Sequence, residues 1–336
     1  MNPDQITSYQ QLMVMITSKW ISKSIYAAAK LGIADILSEK SANIDEIAEL
    51  TGTQPAQLYR LLRALSSMGV FNEESPAVFS INTKGECLKT GNLRAAALLF
   101  NSEWSDQSWG KLMQTLKTGK TSFELAHNQD LNSWLKDHPE YCDIFNQANS
   151  FKVKTSFFPA IRNYDFSDCR KITDIGGGVG TLLIEILLLN PHLRGIVADK
   201  PGVVEIARQK IKSHHLTGRC KTIKCDFFRQ IPGGSDVYLL ANILHDWPDE
   251  KCLNILKNCY RDLNSRAKLL VLEFIIPPGN KPSVSKLLDL EMMVTTGGKE
   301  RTALEYRQLF QEGGFKVLKI VNSPTEVSIM ELIKEI

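Results

Sequence analysis

His245, Glu273 and Glu300 give this sequence its clearest capacity for moving a proton. His245 follows an apolar run, Val237 to Ile243, that reads as a strand. It precedes Asp246-Trp-Pro-Asp-Glu250, whose proline and acids suit the first turn of a helix. A neutral imidazole with a pKa near 6.5 is a suitable general base at neutral pH. Such a base needs a group to fix its tautomer. Glu273, near the end of the neighbouring strand, could supply that carboxylate. Glu300, in Gly297-Gly-Lys-Glu-Arg-Thr302, could be a second one across the pocket. A lone histidine here would read equally well as structural; two carboxylates and an adjacent ligand pocket move the reading to catalysis.

The pocket begins at Lys171-Ile-Thr-Asp-Ile-Gly-Gly-Gly-Val-Gly-Thr181, a buried strand running into a Gly-rich turn, with a helix expected from Val179. Asp174, Gly176, Gly178 and Gly180 form an acid-x-Gly-x-Gly-x-Gly pattern. It permits a tight turn and close approach of a ligand to the backbone. The helix start behind it is electropositive and has spare N–H groups. Dinucleotide folds place their third glycine one residue later, where this chain has Thr181. A strand-to-helix turn without a ligand is the plain alternative. Asp199 ends the next strand, about twenty residues on, where a carboxylate can accept hydrogen bonds from both ribose hydroxyls. Asp226 suits an adenine edge and Phe227 an apolar wall for its ring. Together these residues describe an adenosine pocket that requires no second phosphate.

The elements that must position these groups alternate from residue 170 onward. Strands at 172–175, 194–199, 221–225, 237–243 and 268–276 are separated by helices near 201–213 and 249–263. That order implies an α/β domain with a mostly parallel, doubly wound sheet. Ligands then sit at the carboxyl ends of the strands. The Gly turn, Asp199, Asp226, His245 and Glu273 are all expected there.

The N-terminal part differs. Tyr9, Leu12, Met13, Ile16, Trp20, Ile25, Ala28, Ala29, Ile33 and Leu37 recur at helical spacing. So much apolar surface needs a partner, which a second subunit could supply. Residues 44–50 and 56–68 read as two helices around a turn, with a hairpin at 70–81: a helix-turn-helix with a wing. The second helix offers Arg60 and Arg63 but no lysine, and the wing tip carries Glu73 and Glu74, which would repel phosphate. The net charge of +3 does not argue for nucleic acid either. The domains expected are 1–90, a winged-helix dimerisation domain; 91–165, a helical region contributing to a substrate pocket; and 166–336, the catalytic domain. No apolar run reaches membrane-span length, and the start lacks a signal-peptide pattern. Seven cysteines without a C-x-x-C pair read as free thiols in a reducing cytoplasm, with Cys252 and Cys259 on one buried helix face. No His or Cys spacing suits a metal.

The ordered set resembles the S-adenosylmethionine-dependent small-molecule O-methyltransferases, which include plant caffeate and flavonoid, hydroxyindole, and bacterial phenazine and polyketide enzymes. The resemblance spans nearly the whole chain: the winged helix, Phe123-Glu-Leu-Ala, Phe145-Asn-Gln-Ala148, the Gly turn, Asp199, Asp226-Phe227, His245-Asp-Trp-Pro-Asp-Glu250, Glu273 and the segment 297–302. It implies a class I methyltransferase fold and an intertwined homodimer built on the N-terminal domain, with no nucleic acid, membrane or metal as partner. It implies S-adenosylmethionine held by Gly176, Gly178, Gly180, Asp199, Asp226 and Phe227, and His245 as base flanked by Glu273 and Glu300. The acceptor hydroxyl would be phenolic or enolic, on a small secondary metabolite. Asp246, Phe145, Asn149, Met292 and Met293 are the substrate-side positions; Asn149 stands where many members have Met. Plant members carry a Lys touching the cofactor where this chain has Ala241, so Asn242 beside it becomes a candidate for that contact. The alternatives are a cofactor-sensing DNA-binding regulator and a relative of the same fold that transfers no methyl group.

Overall fold

The computed structural model describes residues 3–335. The chain divides into two compact units, Met1–Gln107 with His138–Phe151, and Ser108–Asp137 with Lys152–Ile336. The segment 91–165, expected as one region, is therefore shared between them.

In the first unit, the apolar periodicity of residues 8–38 is realised as three helices, Pro3–Ile16, Ser18–Leu31 and Ile33–Glu39. Gly32, left-handed at φ 70°, caps the end of the second helix and the start of the third. Helix Ile44–Thr51 begins at Asn43, whose side chain accepts the Glu46 N–H. Helix Pro55–Ser67 follows, with proline in its first turn. Strands β1 (Ala42–Asn43), β2 (Phe71–Ser75) and β3 (Val78–Ile81) pair antiparallel in the order β1-β3-β2. Leu58, Leu62, Leu65, Phe71 and Phe79 close this winged helix around one core. Arg60 and Arg63 are exposed, and so is Glu74 on the wing. Tyr9, Leu12, Met13, Ile16 and Trp20 are exposed as well, although the periodicity marks them as a burial face.

The second unit holds strands β4 (Lys171–Ile175), β5 (Arg194–Asp199), β6 (Cys220–Lys224), β7 (Val237–Ala241), β8 (Lys268–Ile276), β9 (Arg301–Thr302), β10 (Phe315–Asn322) and β11 (Val327–Lys334). The main order is β10-β11-β8-β7-β4-β5-β6, with β9 beside β8. Strands β4 to β8 pair parallel, as the alternation of strands and helices predicts. The last two, β10 and β11, run antiparallel, and alternation did not foresee them. Chain order reverses direction between β4 and β7, so a crevice opens beyond their carboxyl ends. The strands are buried on both faces. In β7, Leu239 joins the core that contains Leu183, Val197 and Leu270. Tyr238 and Leu240 join the opposite core with Ile255, Cys259 and Phe310. Cys252 and Cys259 are both fully buried, as their spacing implied, and all seven cysteines are free. No helix among the described residues is long and apolar enough to cross a membrane.

Because β8 is the central brace of the site described next, its packing is a direct check on this architecture. Leu270→Ala, at a fully buried position, should cost about 2–5 kcal/mol in urea unfolding. Leu287→Ala, on an exposed helix face, should stay within about 0.5 kcal/mol. Equal effects would contradict the burial pattern.

Candidate active site

At the carboxyl end of β4 the chain turns through Gly176, Gly178 and Gly180, with φ of 67°, 57° and 79°. A residue with a Cβ would be strained at each of these positions. Gly180 caps helix Thr181–Leu189, which opens two residues later than the sequence suggested because a left-handed residue cannot begin it. A Cβ at Gly176 would lie 2.5 Å from Ile243 Cδ1 and 3.4 Å from Phe227 Cε1. The turn is therefore closed on the side of β7, and Phe227 does reach it. At Gly178 a Cβ would meet nothing within 4 Å, so the backbone there faces open space. Asp199 Oδ2 accepts the Gly178 N–H at 2.8 Å, and Oδ1 accepts the Lys200 N–H at 2.6 Å. Burial holds Asp199 above the ordinary carboxylate value despite these two bonds. Burial, with the charge of Asp199 added, pushes Asp174 up to about 8. Asp226 is exposed, accepts the Phe228 N–H at 3.0 Å and lies 3.4 Å from Arg229 Nε. An open amide turn at a helix start, a carboxylate at the next strand end and an aromatic ring beside them fit an adenosyl group with a charged methionine tail.

The candidate base, His245, is held at the end of β7. There the chain passes through Asn242, left-handed at φ 59°, into a short turn, Leu244–Asp246. Glu273 on β8 lies one residue beyond the last β7 pairing, Ala241 with Leu272. Its Oε1 accepts the N–H groups of Ile243 and Leu244, at 2.9 and 2.8 Å. Glu300, just ahead of β9, places Oε1 2.8 Å from His245 Nδ1. The structure thus divides the two carboxylates differently from the sequence reading. Glu300 orients the imidazole, and Glu273 shapes the backbone that carries it. His245 and Glu300 are each only 2% exposed, and His245 Nε2 has no hydrogen-bond partner. Its nearest acid is Asp246, whose Oδ1 lies 3.6 Å away. Burial alone would lower the pKa of His245. The charges of Asp246 and Glu273 and the bond to Glu300 outweigh that and hold it above the ordinary histidine value. Burial also pushes Glu273 up.

Three supporting residues carry roles that the sequence reading did not assign. Arg301, fully buried, donates to the carbonyls of Leu244 and Trp247, at 3.1 and 2.9 Å, and to Asp249 Oδ1. It ties down both ends of the turn that holds His245. A Cβ at Gly298 would strike the carbonyl oxygen of His245 and lie 2.7 Å from Trp247 N, so only glycine lets the two segments meet. Lys152 donates to Asn242 Oδ1 at 2.7 Å. Arg301 and Gly298 lie inside the quoted 297–302 segment, which was their only signal; Lys152 had none.

Other expected residues are placed less decisively. Met292 is buried and Met293 half-buried on helix Val284–Thr295. Phe145 and Asn149 are half-buried on helix Pro139–Lys152, within the other unit. Asn242 spends its side-chain oxygen on Lys152. His245, Glu273 and Glu300 also bring three metal-ligand atoms within 4.8 Å of one another, a cluster invisible in linear spacing. The bond from His245 to Glu300 and the two amides on Glu273 account for this proximity without a cation.

A sequence model described as the O-methyltransferase domain matches residues 109–316, and one described as the O-methyltransferase dimerisation domain matches residues 13–116. The chain belongs to the O-methyltransferase family. Members of this family use S-adenosylmethionine. The phenazine O-methyltransferase PhzM of Lysobacter antibioticus is 37% identical over 95% of this chain and 94% of its own. The 3-amino-4-hydroxybenzoate 4-O-methyltransferase of Streptomyces cremeus is 34% identical over 96% and 90%. Among solved structures, LaPhzM superposes with a TM-score of 0.93 at 36% identity, covering 97% of this chain and 99% of that one. An O-methyltransferase from neocarzinostatin biosynthesis, in complex with S-adenosylmethionine and 2-hydroxy-5-methyl naphthoic acid, gives 0.80 at 27% identity, covering 94% and 96%. In this O-methyltransferase, Gly298→Ala should displace the His245 turn and cost about a hundredfold in turnover. Binding of S-adenosylhomocysteine, remote from that contact, should be unchanged. Full activity in the variant would refute the contact.

Proposed function

We propose that this chain transfers a methyl group from S-adenosylmethionine to a phenolic or enolic hydroxyl of a small aromatic metabolite, with His245 as general base. One observation carries the reading: Glu300 occupies Nδ1 of a buried His245 and leaves Nε2 without a hydrogen bond. When bound, the cofactor supplies an electrophilic methyl on a positively charged sulfur. Gly176, Gly178 and Gly180 hold its amino-acid and ribose part. Asp199 takes the ribose hydroxyls, and Asp226 and Phe227 take the adenine. The remaining work falls to the chain: holding the acceptor oxygen in line and removing one proton. A phenol with a pKa near 10 is mostly neutral at pH 7, so a base is useful. His245 Nε2 accepts that proton, and Glu300 stabilises the imidazolium that results. A ring-nitrogen acceptor would offer a lone pair without a proton and would not need this arrangement, which favours oxygen. The acidic, exposed wing favours a structural role for the winged helix over a DNA-binding one. The exposed apolar residues Tyr9, Leu12, Met13, Ile16 and Trp20 belong in this reading to a homodimer interface. Asp246, Phe145, Asn149, Met292 and Met293 remain the substrate-side candidates, and the seven free thiols suit the cytoplasm.

The test is kinetic, on an acceptor found by screening phenolic compounds. His245→Ala should lower kcat by about a hundredfold or more while S-adenosylhomocysteine still binds. In the wild type, kcat/KM should fall as pH drops through the pKa of His245, because the protonated ring cannot accept a proton. That limb should lie above about 6.5, and Asp246→Asn, which removes a charge that raises the pKa, should move it to lower pH. An unimpaired His245→Ala enzyme would end the proposal.

A further inference from the structure

Among the described residues, Lys152 is a cation at the base cluster that the mechanism leaves unused. It is the last residue of helix Pro139–Lys152, and the chain continues into a π-helical turn, Val153–Phe157. Such turns often mark functional sites. Its ammonium donates to Asn242 Oδ1 at 2.7 Å and lies 5.6 and 5.5 Å from the ring centres of Phe157 and Phe274. An ammonium has three donors, and one is spent on a neutral amide. Among the described residues no carboxylate oxygen lies within ion-pair distance of it. The charges that face it, Glu300, Asp246 and Glu273, act from farther away, and burial comes first, pulling its pKa down. Yet the side chain is only half-buried by surface area. Asn242 and two aromatic rings thus surround an ammonium that keeps partial access to solvent. Asn242 is held there by a backbone bond from its N–H to Leu272 O at 3.0 Å and by its left-handed conformation, three residues ahead of His245.

We propose that Lys152, braced by Asn242, forms a carboxylate subsite in the acceptor cavity, so that the substrate is an aromatic hydroxy-acid rather than a neutral phenol. The inference deepens the methyltransferase reading and rests on it. Desolvation makes an unfilled ammonium costly, and a carboxylate that meets its two remaining donors offsets that cost with charge-assisted bonds. The carboxylates at the base cluster would repel an acid substrate; Arg301 is already spent on Leu244, Trp247 and Asp249, so Lys152 is the cation left to receive one. A carboxylate there could also come from the methionine tail of the cofactor. Lys152 is bonded to Asn242, three residues ahead of His245, and the charges of Glu300, Asp246 and Glu273 act on it, which favours the acceptor as the source.

The experiment is calorimetry on full-length protein saturated with S-adenosylhomocysteine, titrated with 3,4-dihydroxybenzoate and 1-hydroxy-2-naphthoate, each against its carboxamide. Wild type should bind the acid about tenfold or more tighter than the amide, the scale of one charged hydrogen bond. Lys152→Met should bind both alike, Lys152→Arg should recover part of the preference, and all three should bind S-adenosylhomocysteine equally. If Lys152→Met instead weakens S-adenosylhomocysteine about tenfold and keeps the acid preference, the carboxylate is the cofactor's and the acceptor assignment is overturned. No preference in the wild type, or one that survives Lys152→Met with cofactor affinity intact, overturns the subsite altogether. A wild type that fails to bind S-adenosylhomocysteine is a separate result and defeats the methyltransferase reading itself.

Discussion

The hydrogen bond between His245 Nδ1 and Glu300 Oε1, 2.8 Å long and closed to water, is the constraint on which the rest of the site depends. A buried carboxylate is costly unless it is paired and hydrogen-bonded. Every neighbouring device serves to keep this pair aligned. Arg301 clamps the carbonyls on either side of His245. Glu273 gathers the amides that lead into the turn. The Glu300 N–H is itself fixed on Asp289 Oδ1 at 2.9 Å. Gly298 lets the two segments touch. The outcome is an imidazole with one nitrogen committed and the other vacant, in a field that raises its basicity.

The sheet makes that alignment possible. Parallel strands deliver all their carboxyl ends to one edge, and the reversal of order between β4 and β7 opens the crevice at that edge. The Gly turn ends β4, Asp199 ends β5 and the His245 turn follows β7. The close approach of Gly176 to Ile243 ties the Gly turn to the His245 turn directly. The His245 turn and the Gly turn, the candidate base and the candidate cofactor turn, are thus positioned by two adjacent strands.

Much of this was legible in the sequence because it is local. Glycine-rich turns, apolar runs and strand-terminal acids are written in consecutive residues, and strand β8 and helix Pro201–Ser213 fall where the pattern put them. Residues whose meaning depends on a distant partner were not legible. Glu273 and Glu300 were both recognisable as carboxylates near His245, but strand register decides which one reaches the ring. Lys152 gave no signal at all, since its partner, Asn242, is ninety positions away. The antiparallel strands β10 and β11 were missed because nothing in βα alternation announces its own end.

The most direct test of the account is nuclear magnetic resonance on protein labelled at its histidine ring nitrogens, with S-adenosylhomocysteine bound, titrated through neutral pH and assigned with His245→Ala. The account predicts that neutral His245 carries its proton on Nδ1, toward Glu300, with Nε2 unprotonated, and that the ring titrates above about 6.5. A proton on Nε2 in the neutral form, or titration below the ordinary value, would contradict it.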